Sequence, residues 1–249
     1  LEGVSIGFTI SFSQNYSCHQ NIDAFNYFLS FNNCNYIKKK NTKLKEIKKF
    51  GYIGDYKFLI KKSESDDLKL KLKNLGCKYI IGFFDQGSTD DYFFDIGHEK
   101  SREGYKFLLN KVLENEHLGL IIKPKKPKLL KNKLSDVYDL LSKAKETKRC
   151  IVFDNYEKNH VKNFEDIPAK IAMASDITIH DTLLAGTAGL ESALTGNKSV
   201  FFDYYHSTKS HFLSKDLNIV FNDWNYLWIE ILKDQNKENK NLGNWNNII

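Results

Sequence analysis

The stretch DITIHDTLLAGTAGLESALTGNKSVFFD, residues 176–203, contains two apolar runs separated by a turn of small residues and a helical pattern. DITIH and KSVFFD have the length of strands, and AGLESALTG has helical spacing. We place the helix start near Ala188 and its C-cap at Gly196, a residue type that suits this position. Strands that are apolar on both faces and alternate with helices indicate a parallel sheet covered on both sides.

The same alternation runs from Gly76 to the end of the last predicted helix. Further strands are expected in CKYIIGFFD, LGLIIKP, RCIVFD and LNIVF. Helices are expected in EKSREGYKFLLNKVLENE, LSDVYDLLSKAKET, FEDIPAKIAMAS and NDWNYLWIEILKD, the last capped by Asn222 or Asp223. Six strands with intervening helices predict an α/β fold with a Rossmann-like, doubly wound parallel sheet over residues 76–234. Residues 235–249 are a polar tail.

The first 75 residues have a less regular pattern and are predicted to be a partial N-terminal domain. GVSIGFTISF is expected to be a strand, and NIDAFNYFLSF a helix with Asn21 as its cap. FGYIGDYKFL carries two glycines and is expected to be a turn-rich connector. KKSESDDLKLKLKNLG is polar and is expected to end in a short helix.

Charge and composition exclude some classes of partner. The net charge is +6, from 37 basic and 31 acidic residues, and the basic residues are dispersed apart from runs at 38–40 and 123–133. A nucleic-acid-binding protein more often carries one dominant basic face with interleaved aromatic residues, so no nucleic-acid partner is expected. A local basic run suits a phosphate-bearing small ligand or an anionic membrane surface equally well.

The four cysteines, Cys18, Cys34, Cys77 and Cys150, form no CxxC pair and match no zinc motif. They are expected to be free thiols in a reducing cytoplasm. No apolar run reaches the roughly 18 residues of a membrane-spanning helix. Since the chain begins with Leu1, it is expected to be a fragment of a longer protein or a processed form.

Doubly wound sheets bind ligands outside the carboxyl ends of their strands. The helix near Ala188 starts at such an end, and its free N–H groups and dipole favour an anion such as phosphate. Gly186 and Gly189 let the backbone approach a ligand, Thr187 can donate a hydrogen bond, and Glu191 can accept two ribose hydroxyls. The alternative is a tight strand–helix turn in which Thr187 caps the helix and Glu191 complements its dipole.

Other strand ends offer further candidates. Lys123 and Lys125 suit a diphosphate or a carboxylate, and Asp85 and His98 are candidate general bases. His180 and Asp181 are not expected to form a catalytic pair, because neighbours on a strand point to opposite faces. The sequence has no GxSxG, Walker, HExxH or GxGxxG motif, so nicotinamide or flavin binding is not expected.

The order of these motifs resembles the C-terminal nucleotide-binding domain of GT-B glycosyltransferases, over about residues 77–233. The similar enzymes act in bacterial surface and capsule polysaccharide synthesis and include CDP-glycerol glycerophosphotransferase-like proteins. The resemblance is carried by Lys123-Pro124, Ser175-Asp176, Gly186 to Glu191, and Gly196 to Val200. The family's Lys-Pro-His-Pro motif reads Lys-Pro-Lys-Lys-Pro here, so Lys125 replaces the histidine and the donor type stays open.

The resemblance implies a metal-independent glycosyltransferase without a cofactor, which transfers a sugar from a nucleotide-activated donor to a glycan or lipid-linked acceptor. Thr187, Ala188 and Gly189 would contact the donor phosphate and Glu191 its ribose. The base would be Asp85, His98 or a residue of an N-terminal part that this sequence does not contain. Two alternatives stay open: a nucleotide-sugar epimerase of the same fold and a non-catalytic binding module. The expected location is the cytoplasm or the inner membrane surface, and no oligomeric state is predicted.

Overall fold

Two parallel sheets form the framework of the chain. The computed structural model describes residues 3–8, 25–30, 43–88, 90, 96–154, 168–183, 186–207, 211–213 and 217–245. The first sheet has three strands, β1 Ile6–Phe8, β2 Tyr27–Ser30 and β3 Glu46–Lys49. The second has six: β4 Tyr79–Phe84, β5 Leu118–Lys123, β6 Cys150–Val152, β7 Ile177–His180, β8 Lys198–Phe202 and β9 Val220–Phe221.

The helices alternate with the strands of the second sheet. They are α1 Tyr56–Asn74, α2 His98–Glu114, α3 Leu130–Leu134, α4 Val137–Glu146, α5 Pro168–Ala174, α6 Gly186–Leu194 and α7 Trp224–Gln235. Short 3₁₀ segments lie at Pro127–Leu129 and His211–Leu213. None of the helices in the described parts of the chain combines the length and the apolar character needed to cross a lipid bilayer.

The six-stranded sheet runs in the order β6-β5-β4-β7-β8-β9, and every neighbouring pair is parallel. Counted along the chain from β4, this is the order 3-2-1-4-5-6 of the Rossmann fold. The predicted doubly wound parallel sheet is therefore confirmed. The point at which the strand order reverses lies between β4 and β7, the place where such sheets bind ligands.

Alternating side chains of each strand face different helix layers. Ile81 and Phe83 of β4 belong to the large cluster that also contains Tyr105 and Leu109 of α2. Ile80 and Phe84 belong to a separate cluster with residues of α1 and α5. A third cluster joins α6 and β8 to the segment before β9. Helices therefore cover both faces of the sheet, which explains why its strands are apolar throughout.

Two predicted helix ends agree with the structure. Gly196, after α6, has a φ of +81°, the left-handed conformation that favours glycine after a helix. At the start of α7, the side chain of Asp223 accepts a hydrogen bond of 2.7 Å from the backbone N–H of Tyr226. The start of α6 differs from the prediction, because the helix begins at Gly186 and not near Ala188.

Two predictions in the first 75 residues are wrong. NIDAFNYFLSF was expected to be helical, but Tyr27–Ser30 is the central strand of the first sheet and pairs with both β1 and β3. The helical spacing is overridden by strand pairing on both sides. KKSESDDLKLKLKNLG was expected to end in a short helix, but all of it up to Asn74 belongs to the 19-residue helix α1. The proposed cap Asn21 lies outside the described residues.

The division of the chain at residue 75 stays a prediction. Cys77 and Cys150 are free, as predicted, and both are buried in the structure. Cys18 and Cys34 lie outside the described residues.

Candidate functional site

The carboxyl ends of the central strands lie side by side. Phe84, the last residue of β4, pairs with Lys123 of β5 on one side and with His180 of β7 on the other. His180 in turn pairs with Phe201 of β8. The segments that follow these residues therefore emerge at one edge of the sheet. This edge includes the reversal point between β4 and β7, and it brings the predicted candidates into one region.

Helix α6 starts at this edge, six residues after the end of β7. Its first turn is Gly186-Thr187-Ala188-Gly189, the small-residue sequence predicted to receive a phosphate. Ala188 is partly buried against the cluster that contains Phe84 and Ile171. A helix start beside a strand end gives N–H groups and a positive dipole end that favour an anion.

Gly189 also has a packing reason to be glycine. A Cβ atom built there would lie 2.5 Å from Cζ of Phe201, a fully buried residue of β8. Any side chain would push α6 away from the sheet. The close approach at Gly189 is thus between helix and strand, and its predicted contact with a donor phosphate stays a prediction.

Glu191 lies in the second turn of α6 and is only 8% exposed. Its Oε1 accepts a hydrogen bond from the hydroxyl of Tyr52, and its Oε2 accepts one of 3.2 Å from the backbone N–H of Ala169. Burial raises the pKa of Glu191, while the Tyr52 and Ala169 hydrogen bonds and the charges of Lys57 and Lys123 lower it. Glu191 therefore joins α6 to α5 and to the segment before α1.

The two predicted lysines differ in setting. Lys123 ends β5, is half-buried, and its charge acts on Glu191. Lys125 is exposed, and its backbone N–H donates a 2.8 Å hydrogen bond to Oδ1 of Asp85. A Cβ built at Gly87 would lie 3.6 Å from Cδ of Lys125, so the lysine stem passes close to the loop after β4. Both lysines thus lie at the same sheet edge.

Asp85, a predicted base, is buried and held by protein groups. Its Oδ2 accepts hydrogen bonds from the hydroxyl of Tyr105 at 2.5 Å and from Nζ of Lys133 at 2.9 Å. Its Oδ1 accepts the N–H of Lys125. The Lys133 and Asp85 side chains are 6% and 2% exposed, so this is a buried ion pair. A carboxylate with these partners is better placed to hold the loops than to accept a proton.

His98, the other predicted base, is the first residue of α2 and is half-buried. Its Nδ1 lies 2.6 Å from Oγ of Ser88, in the loop after β4. Its backbone N–H donates to Oδ1 of Asp90 at 2.9 Å, and its Nε2 lies 4.0 Å from the other carboxylate oxygen. His98 is thus connected to the loop after β4 through Ser88.

Asp181 is a residue of this edge that the sequence analysis did not select for a role. Its Oδ1 accepts the N–H of Gln86 at 2.7 Å, and its Oδ2 accepts the hydroxyl of Ser101 in α2 at 3.2 Å. Burial, and secondly the negative charge of Asp85, raise the pKa of Asp181 to about 7, while Lys133 opposes this rise. Its position directly after a strand, like that of Asp85, was a signal that could have identified it.

Lys133 and Tyr105 were also missed, and the sequence gives no signal for them. Tyr105 belongs to the apolar face of α2, and its ring lies edge-on to Phe83 at 5.1 Å between centroids. Its hydroxyl nevertheless reaches Asp85. Lys133 is one of many lysines in residues 123–133, and only the fold brings it to Asp85.

His180 and Asp181 point to opposite faces, as predicted. The ring of His180 stacks on Phe84 with centroids 4.9 Å apart, and its Nε2 lies 3.1 Å from Oγ of Ser199. Burial lowers the pKa of His180 to about 3, so the imidazole is neutral. Its Nδ1 is buried and has no hydrogen-bond partner within the described part of the chain.

At the end of β8, the side chain of Asp203 is held by the turn that follows it. Asp203 accepts backbone N–H groups from Tyr205 at 3.1 Å and from Ser207 at 2.6 Å.

Among the described residues, no three or more His, Cys, Asp or Glu side chains are grouped so that they could hold a metal ion.

No protein-family model and no curated protein matches the chain. Among solved structures, the wall teichoic acid polymerase TagF aligns with a TM-score of 0.47 at 14% identity, covering 95% of this chain and 59% of that one. A TagF variant aligns at 0.48 and 13% identity, covering 96% and 60%. The trehalose-6-phosphate phosphatase N-terminal domain of Candida albicans aligns at 0.45 and 17% identity, covering 80% and 43%. The chain spans at most 60% of each of these proteins.

Proposed function

We propose that this chain is the donor-binding part of a transferase that moves a sugar, or an alcohol phosphate, from a nucleotide-activated donor to a surface-polysaccharide or other glycan acceptor. The observation that carries the proposal is the arrangement at the sheet edge. The strand order 3-2-1-4-5-6 brings the start of α6 and the end of β5 to the reversal point. Glu191 and Lys123 lie close enough there for their charges to interact.

The charges at this edge suit a nucleoside diphosphate. The first N–H groups of α6, together with Lys123 and Lys125, would neutralise the two phosphates. Such preorganised donors stabilise the negative charge that develops on a leaving nucleotide. Glu191, one turn further along α6, would accept the ribose hydroxyls. The spread of these donors over one strand end and one helix start fits an extended ligand better than a single phosphate.

In the proposed reaction, an acceptor hydroxyl oxygen forms a bond to the transferred group while the bond from that group to the nucleotide phosphate breaks. The proton of the hydroxyl passes to a protein base, and the nucleotide leaves with the bonding electron pair. His98 is the better candidate for the base. Protonation of Asp85 would break a buried ion pair with Lys133, whereas His98 is half-buried at the helix start.

The first test is calorimetric titration of the chain with UDP, CDP, CMP and GDP. We expect at least one diphosphate to bind, and Glu191→Gln to weaken that binding by about tenfold, a change of about 1.4 kcal/mol. Glutamine is preferred to alanine because its amide oxygen can still accept the N–H of Ala169. The variant should melt close to the wild type.

Absence of binding by all four nucleotides would refute the proposal. A Glu191→Gln protein that unfolds while the nucleotide affinity of its folded fraction is unchanged would show that Glu191 is a packing and capping residue. The two results are separated by recording thermal melts beside each titration.

A non-catalytic donor-binding module is the second candidate. The observation that favours it is that two buried carboxylates of the edge, Asp85 and Asp181, have their oxygens engaged by protein donors. Incubation with a panel of nucleotide-activated donors separates the two candidates. A transferase releases the free nucleotide in the presence of an acceptor, and a binding module leaves the donor intact.

A further inference from the structure

The carboxylate of Glu191 is enclosed by protein groups on both oxygens. Oε2 is held by the backbone N–H of Ala169 at the start of α5. Oε1 is held by the hydroxyl of Tyr52, which lies 139 positions earlier in the sequence. Glu191 is therefore almost fully shielded from solvent, with 8% of its surface exposed. A ligand can reach this carboxylate only if one of the two covering groups moves.

Ala169 is the less mobile of the two. Its helix, α5, packs along α1 and against the central strands, and Ala169 is fully buried. The neighbouring carbonyl of Lys170 accepts a 2.8 Å hydrogen bond from Ser65, a buried residue of α1. Moving the Ala169 N–H away from Glu191 would displace a helix that is fixed on both sides.

Tyr52 is a side chain on a short turn and is half-buried. The turn begins at Gly51, whose φ of +86° requires glycine or strain, and it closes with a 3.3 Å hydrogen bond from the N–H of Asp55 to the carbonyl of Tyr52. The ring lies close to Gly54, where a built Cβ would be 2.8 Å from Cε1 of Tyr52. The ring also packs against the cluster that contains Leu190 and stacks on Phe58 at 6.2 Å between centroids, so a rotation of this side chain would break these contacts and uncover Oε1 of Glu191 without moving a helix.

The hydrogen bond from Tyr52 to Glu191 resembles the one that a ribose hydroxyl would make with this carboxylate. A hydroxyl donor meets a carboxylate on a helix that starts at the sheet edge, the arrangement expected for a nucleoside whose phosphates lie at the helix start. Such a hydrogen bond to a charged group is stronger than one between neutral groups. The same carboxylate oxygen would have to exchange the Tyr52 hydroxyl for a ribose hydroxyl.

We propose that Tyr52 occupies the ribose position at Glu191 in the absence of ligand, so that a nucleotide binds by replacing the Tyr52 hydroxyl with its own. This inference rests on the proposed function and deepens it. Only a ligand with ribose hydroxyls restores the hydrogen bond that the tyrosine gives up, so the Tyr52 hydroxyl competes with the ribonucleotide and not with a ligand that lacks these hydroxyls. Displacement of Tyr52 by a ligand without them would leave a buried carboxylate short of a donor, which is costly, so such a ligand binds with Tyr52 in place.

The test compares Tyr52→Phe with the wild-type chain of 249 residues by calorimetric titration. The two ligands are the nucleoside diphosphate that binds most tightly in the titrations above and its 2′,3′-dideoxy analogue. Phenylalanine keeps the ring and removes the competing hydroxyl. We expect the ribonucleotide to bind about three- to tenfold more tightly to the variant, and the ratio of ribonucleotide to dideoxynucleotide affinity to rise by the same factor.

Tyr56→Phe is the matched control, because Tyr56 is the first residue of α1 and is 58% exposed. Loss of the Tyr56 hydroxyl should change neither the ribonucleotide affinity nor the dideoxynucleotide affinity. Glu191→Gln should reduce the preference for the ribonucleotide, which shows that the effect depends on the carboxylate. Thermal melts of all variants establish that each is folded.

Three results overturn the inference, and they differ from one another. An unchanged or weaker ribonucleotide affinity of Tyr52→Phe shows that the tyrosine does not compete. An equal gain for both nucleotides shows that its hydroxyl does not act at the ribose. Failure of every protein, including the wild type, to bind any nucleotide refutes the proposed function together with this inference.

Discussion

At the scale of single residues, the neighbours His180 and Asp181 show how burial acts on an acid and a base. Each is almost fully buried, with 0% and 1% of its surface exposed. Loss of water favours the neutral form of both groups, so burial lowers the pKa of His180 to about 3 and raises that of Asp181 to about 7. Their effects on stability therefore have opposite signs.

The Asp181→Asn variant tests the effect of the raised Asp181 pKa on stability. The folded pKa of about 7 lies above the value of about 4 expected in the unfolded chain. Asp181 thus contributes stability below pH 4, and this contribution is lost as the pH rises to 7. The groups acting on it are Asp85, which raises the pKa, and Lys133, which lowers it.

We expect Asp181→Asn to gain stability relative to the wild type between pH 4 and 7, by at most about 1.4 kcal/mol per pH unit. Asparagine keeps an oxygen for the N–H of Gln86 and an amide that can donate to Ser101. Thermal melts of both proteins across this range measure the difference. If the stabilities of the two proteins differ by the same amount at every pH from 4 to 7, Asp181 is charged in the folded state over this whole range.

The sequence identified some of these residues and not others, for a physical reason. The opposite faces of His180 and Asp181 follow from the two-residue period of a strand and were predicted. Asp85 was selected because it directly follows a strand. Its partner Lys133 lies 48 positions later, and no local pattern distinguishes it from the lysines around it. Contacts made by the crossing of a helix over a sheet edge are not encoded in local spacing.

At the scale of elements, α6 is held against the sheet at Gly189. The Phe201 ring that faces it is itself confined, with centroids of Phe212 at 4.8 Å and Trp245 at 5.6 Å. His180 lies on it as well, at 5.4 Å between centroids. The ring therefore cannot move away from a new side chain without disturbing a whole aromatic cluster.

Gly189→Ala should destabilise the protein, although alanine is the better helix former by about 1 kcal/mol. The new Cβ would lie 2.5 Å from Phe201, and an overpacked core typically loses roughly 1–3 kcal/mol. Urea unfolding measures the change. The double variant Gly189→Ala/Phe201→Leu should lose less than the sum of the two single variants, since the smaller side chain leaves room for the methyl group.

A Gly189→Ala protein that is more stable than the wild type would contradict this packing. Neither packing nor backbone conformation would then require glycine at this position, and the interpretation of Gly189 as a ligand contact would gain support. Nucleotide titration of the variant would decide between the two.

The elements of the second sheet were predictable from sequence, and so was β1, whereas β2, β3 and the full length of α1 were not. Six apolar runs alternate with helical patterns, and each strand is long enough or sharply enough bounded to be recognised. Tyr27–Ser30 is different, because Phe28 and Leu29 in this segment also fit a helical spacing together with Phe25 just before it. Only its pairing with β1 and β3, which are distant in sequence, determines that it is a strand.

At the scale of the whole molecule, two buried carboxylates connect the loops that follow three strands. Asp85, after β4, holds the backbone of Lys125, after β5. Asp181, after β7, holds the backbone of Gln86, after β4. Helices α2 and α3 contribute Tyr105 and Lys133 to the same network. The edge proposed to bind the donor is therefore shaped by a charge network beneath it.

Lys133→Met tests how much of the fold depends on this network. Removing the cation leaves Asp85 buried without its counter-charge, and breaking a buried pair in this way typically costs about 3–5 kcal/mol. Lys62→Met is the matched control, because Lys62 pairs with Asp66 at 2.6 Å while both side chains are more than half exposed. An exposed pair of this kind contributes roughly 0–1 kcal/mol.

The double variant Lys133→Met/Asp85→Asn separates the pair from the rest of the network. The oxygen of asparagine can still accept the N–H of Lys125 and its amide N–H can donate to the hydroxyl oxygen of Tyr105, but it carries no charge that needs a cation. We therefore expect the double variant to regain most of the free energy of unfolding lost by Lys133→Met, measured by urea unfolding at pH 7. If the double variant is as unstable as the single one, the lysine acts through its packing on Tyr105, over whose ring its Nζ lies at 5.3 Å, and the ion pair does not hold the sheet edge together.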